Sequence, residues 1–206
     1  MSVIQAAKYL QIDGFLDQSR LPSTVSQECN IHLLEYVISR ESRFVSTTTS
    51  TGEADYRNSK ILYEFPEISA WMVHHISAIL PTVFTQLDHP LFEVSQIEMQ
   101  LTAHNDGNYY KMHNDNGSAA VVNRELSYVY YFYQEPKGFS GGELRLYDLD
   151  VATGWYESAE TFVTIEPRNN SIVFFPSYYL HEVLPVACPS RRFAESRFTL
   201  NGWICR

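Results

Sequence analysis

From about residue 92 onward the chain is built of short β-runs separated by turn residues, and few folds accept that pattern. The clearest run is Glu125–Gln134 (ELSYVYYFYQ), dense in the aromatic and β-branched side chains that suit a pleated surface. Val94–Ala103 alternates ahead of the turn Asn105-Asp106-Gly107-Asn108. Glu143–Tyr147, Thr161–Ile165, Ser171–Phe175, His181–Val186 and Arg197–Cys205 follow, with turns at Gly138–Gly142 and Pro167–Asn170. So many short strands at this spacing predict a sandwich or barrel, and a jelly roll accommodates them best. With 206 residues, no internal repeat and no linker, a single domain is expected. Residues 92–206 form its β core and residues 1–91 a helical support region.

The helices of that region are placed by periodicity. Ser23 and Thr24 can cap a helix carrying Ile31, Leu34, Val37 and Ile38. A second starts after Pro66, carries Ile68, Trp71, Met72, His75, Ile76 and Ile79, and is expected to end near Pro81. The polar stretch Ser46–Gly52 between them lacks periodicity and is expected to be a surface loop. Residues 46–60 could act as a lid, with Tyr56-Arg57 at the surface or against a substrate.

Charge and cysteine usage narrow the function classes. A net charge of -9 argues against a nucleic-acid or anionic-membrane binder, which needs a basic face. Cys29, Cys188 and Cys205 are odd in number and share no CxxC spacing, the usage of reduced thiols. The first residues lack the basic and apolar regions of a secretory leader, and no apolar stretch is read as long enough to span a bilayer. A cytoplasmic protein without a membrane partner is the expectation. The oligomeric state is not legible.

The chemistry lies in a split triad, His113-Asn114-Asp115 and the lone His181. Residues i and i+2 of an extended segment share a face, so His113 and Asp115 can reach one metal, with His181 arriving from another strand. Two imidazoles and a carboxylate with open positions are the ligand set of non-haem Fe(II) oxygenases. The residues alone leave two alternatives: a hydrolytic zinc site, or two hydrogen-bonded histidines near a turn aspartate. Arg197 adds a further constraint. On the expected closing strand Arg197, Thr199 and Asn201 share a face. A buried arginine needs an anion, which a cosubstrate carboxylate would supply, and Tyr131 could add a phenolic donor.

The run HND…RELSYVYYFYQ…GFSGGELRLYD…IEPRNNSIVFFPSYYLHEVLPV…SRFTLNGWI resembles the prolyl 4-hydroxylase-like branch of the 2-oxoglutarate, Fe(II)-dependent dioxygenases over approximately residues 94–205. The resemblance implies a mainly β fold with N-terminal helices and a double-stranded β-helix (jelly-roll) core. It implies Fe(II) on His113, Asp115 and His181, with 2-oxoglutarate and O2 as cosubstrates. Arg197 would pair with the distal carboxylate of 2-oxoglutarate, Tyr131 would bond the same end, Val129 and Leu144 would be apolar walls, and Asn201 would lie beside them. The implied activity is hydroxylation of an unactivated C–H bond, most directly of a prolyl residue in a peptide or protein. A free amino acid or peptide natural product is the alternative substrate, and a non-catalytic metal-binding jelly roll the alternative function. The carboxylate Asp115 favours hydroxylation over halogenation.

Two departures stand out. Ala103 occupies the position of a tyrosine usual in the branch, with Tyr110 as a possible substitute. The interval from His181 to Arg197 is also long, and Arg191, followed by Arg192, lies nearer the usual spacing. Arg197 is preferred because the residues after it match the closing strand. The other histidines receive no role beyond a weak claim of His104 to support the metal.

Overall fold

The computed structural model describes residues 3–16, 32–47, 55–152 and 157–206. In chain order the elements begin with β1 (Ile4–Gln5), β2 (Leu10–Asp13) and the helical residues 32–38 (α1). β3 (Val45–Ser46), β4 (Arg57–Asn58), β5 (Lys60–Leu62) and the long helix α2 (Pro66–Leu87) follow. The β core comprises β6 (Gln96–His104), β7 (Tyr109–His113), β8 (Arg124–Phe132), β9 (Ser140–Gly141) and β10 (Leu144–Asp150). It continues through β11 (Glu157–Ile165), β12 (Ser171–Pro176), β13 (His181–Val183), β14 (Val186–Ala187) and β15 (Arg197–Cys205).

The larger sheet runs β2-β12-β8-β15-β6-β5-β3, and the smaller runs β1-β10-β13-β7-β4 with β11 also on β10. All the pairings are antiparallel. Strand alternation gives the larger sheet two different faces. On one, Tyr130, Phe132, Phe198, Leu200 and Leu101 join Met72, Ile76, Val83 and Phe84 of α2 in the main core. On the other, Tyr131, Val173 and Phe175 meet Leu144, Leu146 and Leu149 of the smaller sheet. The site opens between the sheets at the end of this second core.

Several expectations are corrected. The first ninety residues are not uniformly helical, because β1 and β2 extend the two sheets and β3 to β5 extend their other edges. Each such strand is too short to carry a readable alternation. The cap at Ser23 and Thr24, Ile31, Cys29 and most of the stretch 46–52 lie outside the described residues. Helix α2 does not stop at Pro81 but runs to Leu87. An interior proline costs about 3 kcal/mol. Buried Leu80, Val83, Phe84 and Leu87 beside or beyond it each return roughly 1.5–3 kcal/mol, so packing wins. At 22 residues α2 is also long and apolar enough, by length and composition, to cross a membrane, contrary to the sequence expectation; here one face of it is spent on the main core.

Candidate active site

His113 is the last residue of β7, and His181, the first of β13, lies directly opposite it in register. Their rings approach to 4.2 Å between centroids. Asp115 is not on the strand, as the two-residue spacing suggests, but in the bend after it, where its N–H donates to the Ser177 carbonyl at 3.0 Å. The bend turns the carboxylate back to the histidines: Oδ1 is 3.7 Å from His113 Nε2 and Oδ2 is 3.4 Å from His181 Nε2. The three ligand atoms lie within 4.8 Å of one another.

Hydrogen bonds decide what these atoms offer. His113 Nδ1 is 2.8 Å from the Lys111 carbonyl, and His181 Nδ1 is 2.9 Å from the Tyr179 carbonyl. A carbonyl only accepts, so each Nδ1 carries the proton and each Nε2 turns a bare lone pair to Asp115. Burial, followed by the neighbouring His181, pushes His113 down to about 3. Burial would raise the Asp115 carboxyl, but His181, His113 and bonds from Ser127 and Trp203 hold it below its usual value. The Ser127 hydroxyl donates to Oδ2 at 2.6 Å. Three acceptors facing one point with no proton between them is a cation site, and the donor set fits Fe(II).

A cavity of about 740 Å³ adjoins the triad. Arg197, Thr199 and Asn201 line one wall, and Val129 and Leu144 stand in the same lining. Asn201 Oδ1 accepts from Thr102 at 2.9 Å and from Thr199 at 3.3 Å, which fixes the amide. Arg197 is 1% exposed, and among the described residues no carboxylate lies within ion-pair distance of it. Its Nη1 reaches only His104 Nδ1, at 3.4 Å, and its Nε has no partner. Tyr131 lies under the guanidinium, 4.9 Å from Cζ to the ring centroid, rather than on the cavity wall. The Tyr131 hydroxyl and His104 Nε2 are buried without a hydrogen bond of normal geometry. An orphaned nitrogen of the cation and two orphaned donors beside it, on Tyr131 and His104, are a donor set that the distal carboxylate of 2-oxoglutarate would fit.

Arg191 is 79% exposed at its side chain and bonds Asp106 Oδ2 at 3.1 Å, while Arg192 pairs with Glu195. Neither enters the cavity. Tyr110 stacks on His113 with centroids 3.6 Å apart, so it stands at the triad rather than at the place left by Ala103. Sequence reasoning undervalues His104, because only the register opposite Arg197 reveals it. It misses Ser127 and leaves Arg57 undecided between the surface and a substrate, because both make their contacts with residues elsewhere in the chain.

The buried histidines make stability pH-dependent. Burial, then Arg197 and Arg57, hold His104 well below the ordinary histidine range, as burial does His113. The unfolded chain protonates both near pH 6.5, whereas the fold resists to about 3 at His113. Stability of the metal-free protein is therefore expected to fall as pH drops below about 6.5, by at most about 1.4 kcal/mol per pH unit per histidine. Calorimetric melting at a pH series checks this, and His104→Gln should flatten the slope. A flat wild-type profile across that window would contradict it.

A double-sheeted antiparallel roll holding a two-histidine, one-carboxylate centre beside an unpaired arginine defines an Fe(II) oxygenase architecture. Residues 99–205 match the 2OG-Fe(II) oxygenase superfamily, and the chain belongs to it. An uncharacterized PKHD-type hydroxylase of Synechocystis sp. is 45% identical over 205 residues, which are 98% of this chain. The chain spans 65% of that relative's length. Among solved structures, a Pseudomonas putida prolyl-4-hydroxylase superposes with a TM-score of 0.66 at 20% identity, covering 97% of this chain and 93% of that one. A Trichoplax adhaerens prolyl hydroxylase in complex with a hypoxia inducible factor peptide gives 0.64 at 16%, covering 97% and 84%. These two likenesses establish the fold.

Proposed function

We propose that the protein is a 2-oxoglutarate-dependent dioxygenase that hydroxylates an unactivated C–H bond, with a prolyl residue of a peptide or protein as its substrate. The carrying observation is Arg197: a buried cation with no carboxylate partner among the described residues, on the same cavity as the triad. A structural metal site or a hydrolytic zinc site has no use for such an anchor. In this reading His113, Asp115 and His181 hold Fe(II), and Arg197, backed by the Tyr131 ring and flanked by His104, holds the distal carboxylate. Val129 and Leu144 exclude water, and Ser127 keeps Asp115 ionised and turned to the metal. When bound, Fe(II), 2-oxoglutarate and O2 supply oxidative decarboxylation coupled to hydroxylation; the chain supplies position and a dry site.

A groove of about 920 Å³ supports a peptide over a free amino acid. It shares Gln100, Arg124 and Trp203 with the cavity and continues past Phe65 and Val73 at the start of α2. Room beyond the reacting residue is what a chain substrate needs. The PKHD-type relative is named a hydroxylase, in keeping with this activity.

Anaerobic titration of Fe(II) and 2-oxoglutarate into the metal-free protein tests the reading. A visible charge-transfer band is expected on addition of both, followed in air by succinate formation that prolyl peptides accelerate. Asp115→Ala should lose at least about 100-fold in hydroxylation, since outer-shell changes alone cost 10–100-fold. Iron uptake without the band would leave a metal-binding module, and acceleration by non-prolyl compounds alone would remove the prolyl assignment.

A further inference from the structure

Of the two cavity arginines that this function leaves unused, Arg124 is paired with Glu98, whereas Arg57 has no carboxylate partner among the described residues. It sits on β4 opposite Tyr110 of β7, with its guanidinium 4.6 Å from the Tyr110 ring centroid. Tyr110 in turn stacks on His113, so Arg57, Tyr110 and His113 form one column leading from the cavity mouth to the triad. Arg57 Nε donates to Ser59 Oγ at 3.0 Å, which aims the side chain. Ser59 is itself buried and tied to Thr47. Among the described residues the terminal nitrogens have no acceptor and no carboxylate pairs with Arg57.

Formal charge makes this consequential. Among the described residues, the charged side chains lining the cavity, histidines aside, are Arg57, Asp115, Arg124 and Arg197. Arg124 is neutralised by Glu98, at 2.9 Å from Nε. In the loaded site Fe(II) would be balanced by Asp115 and the proximal carboxylate of 2-oxoglutarate, and Arg197 by the distal carboxylate. Among the described residues this leaves Arg57 as a positive charge without a paired anion, in a partly dehydrated mouth where burial outweighs the pull of Tyr110, Tyr63 and Asp115. A cation so placed is costly unless an anion meets it, and a guanidinium fork matches a carboxylate.

We propose that Arg57 is a specificity-determining residue that binds a carboxylate of the substrate, either a terminal carboxylate or an acidic side chain close to the hydroxylated residue. The inference rests on the function proposed above, because the charge balance assumes bound Fe(II) and 2-oxoglutarate. Tyr110 holds the guanidinium against one face and leaves its edge free for the bidentate contact.

The test uses the Fe(II)- and 2-oxoglutarate-loaded full chain without oxygen, titrated calorimetrically with matched probes. N-acetyl-prolyl-glycine is compared with its C-terminal amide, and N-acetyl-leucyl-glycine with its amide. N-acetyl-prolyl-aspartate amide separates the acidic side chain from the terminus. At least one carboxylate probe should bind about tenfold or more tightly than its neutral partner. That preference should vanish in Arg57→Gln and partly return in Arg57→Lys, while the charge-transfer band and 2-oxoglutarate affinity stay unchanged. Equal binding within every pair, no binding of any probe, or a preference that survives Arg57→Gln overturns the proposal. Loss of the band in the wild type would instead sink the dioxygenase reading. A carboxylate preference confined to the leucyl pair would keep Arg57 and remove proline.

Discussion

His181→Ala is expected to yield a folded protein that neither retains Fe(II) nor consumes 2-oxoglutarate. His181 opens β13 opposite His113, is 5% exposed, and packs edge-on against Phe175 at 4.9 Å. Its Nδ1–H is fixed on the Tyr179 carbonyl, so Nε2 is the atom presented to Asp115. Changing a partner that merely orients a ligand costs 10–100-fold in metal affinity, so deleting a ligand should cost more than about 100-fold. The fold should survive, because the Tyr131, Val173 and Phe175 core and the pairing of β10 with β13 do not depend on the imidazole. Removal of a buried ring should lower stability by about 1 kcal/mol, in the usual range for one substitution. Metal analysis after dialysis, with circular dichroism on the same sample, separates the two effects. Stoichiometric iron and full turnover in a folded His181→Ala protein would remove the triad assignment.

How much of this is legible in the sequence depends on the range of the contacts. The closing strand is readable in full, because Arg197–Cys205 alternates over nine residues and one face carries Arg197, Thr199 and Asn201. The triad is readable as a set of residue types, yet the position of Asp115 is not. The Ser177 carbonyl and the Ser127 hydroxyl hold it in a bend, and both come from distant parts of the chain. His104, with only a weak claim to support the metal, and Arg57, left between the surface and a substrate, are poorly legible for a similar reason. Each lies beside residues far off in sequence, His104 opposite Arg197 and Arg57 opposite Tyr110, and strand register is not written in a single run of residues. The N-terminal region errs in the other direction. Two-residue strands such as Ile4–Gln5 show no period, so sheet neighbours rather than propensity decide them. At Pro81 a local rule meets a larger tertiary term and loses, since the apolar face of α2 extends to Leu87.

Arg197→Leu should move two measurements in opposite directions. In the wild type the guanidinium is buried against His104 and the Tyr131 ring with Nε unpaired, and burial already lowers its hold on its proton. Replacing a buried, poorly paired ion with an apolar side chain is commonly neutral or stabilising by about 1–4 kcal/mol. The ligand-free variant is therefore expected to melt no lower than the wild type. Its affinity for 2-oxoglutarate should collapse. Loss of charge-assisted bonds to a buried carboxylate is worth roughly 2–4 kcal/mol, or about 30- to 1000-fold. The thermal shift that 2-oxoglutarate gives the iron-loaded wild type should vanish with it, because ligand stabilisation follows affinity. Gly142 supplies a check from the other side of the same contact. An added Cβ there would stand 2.6 Å from Arg197 Cδ, on a residue with φ of +73°. Gly142→Ala should therefore displace the anchor and weaken 2-oxoglutarate with Arg197 still present. Arg191→Ala removes an exposed ion pair with Asp106 and should change the affinity less than about twofold. Calorimetric titration of 2-oxoglutarate into the four iron-loaded proteins decides among these. A large loss in Arg191→Ala with native affinity in Arg197→Leu would transfer the anchor to Arg191, and the cradle around Tyr131 and His104 would then lose its ligand.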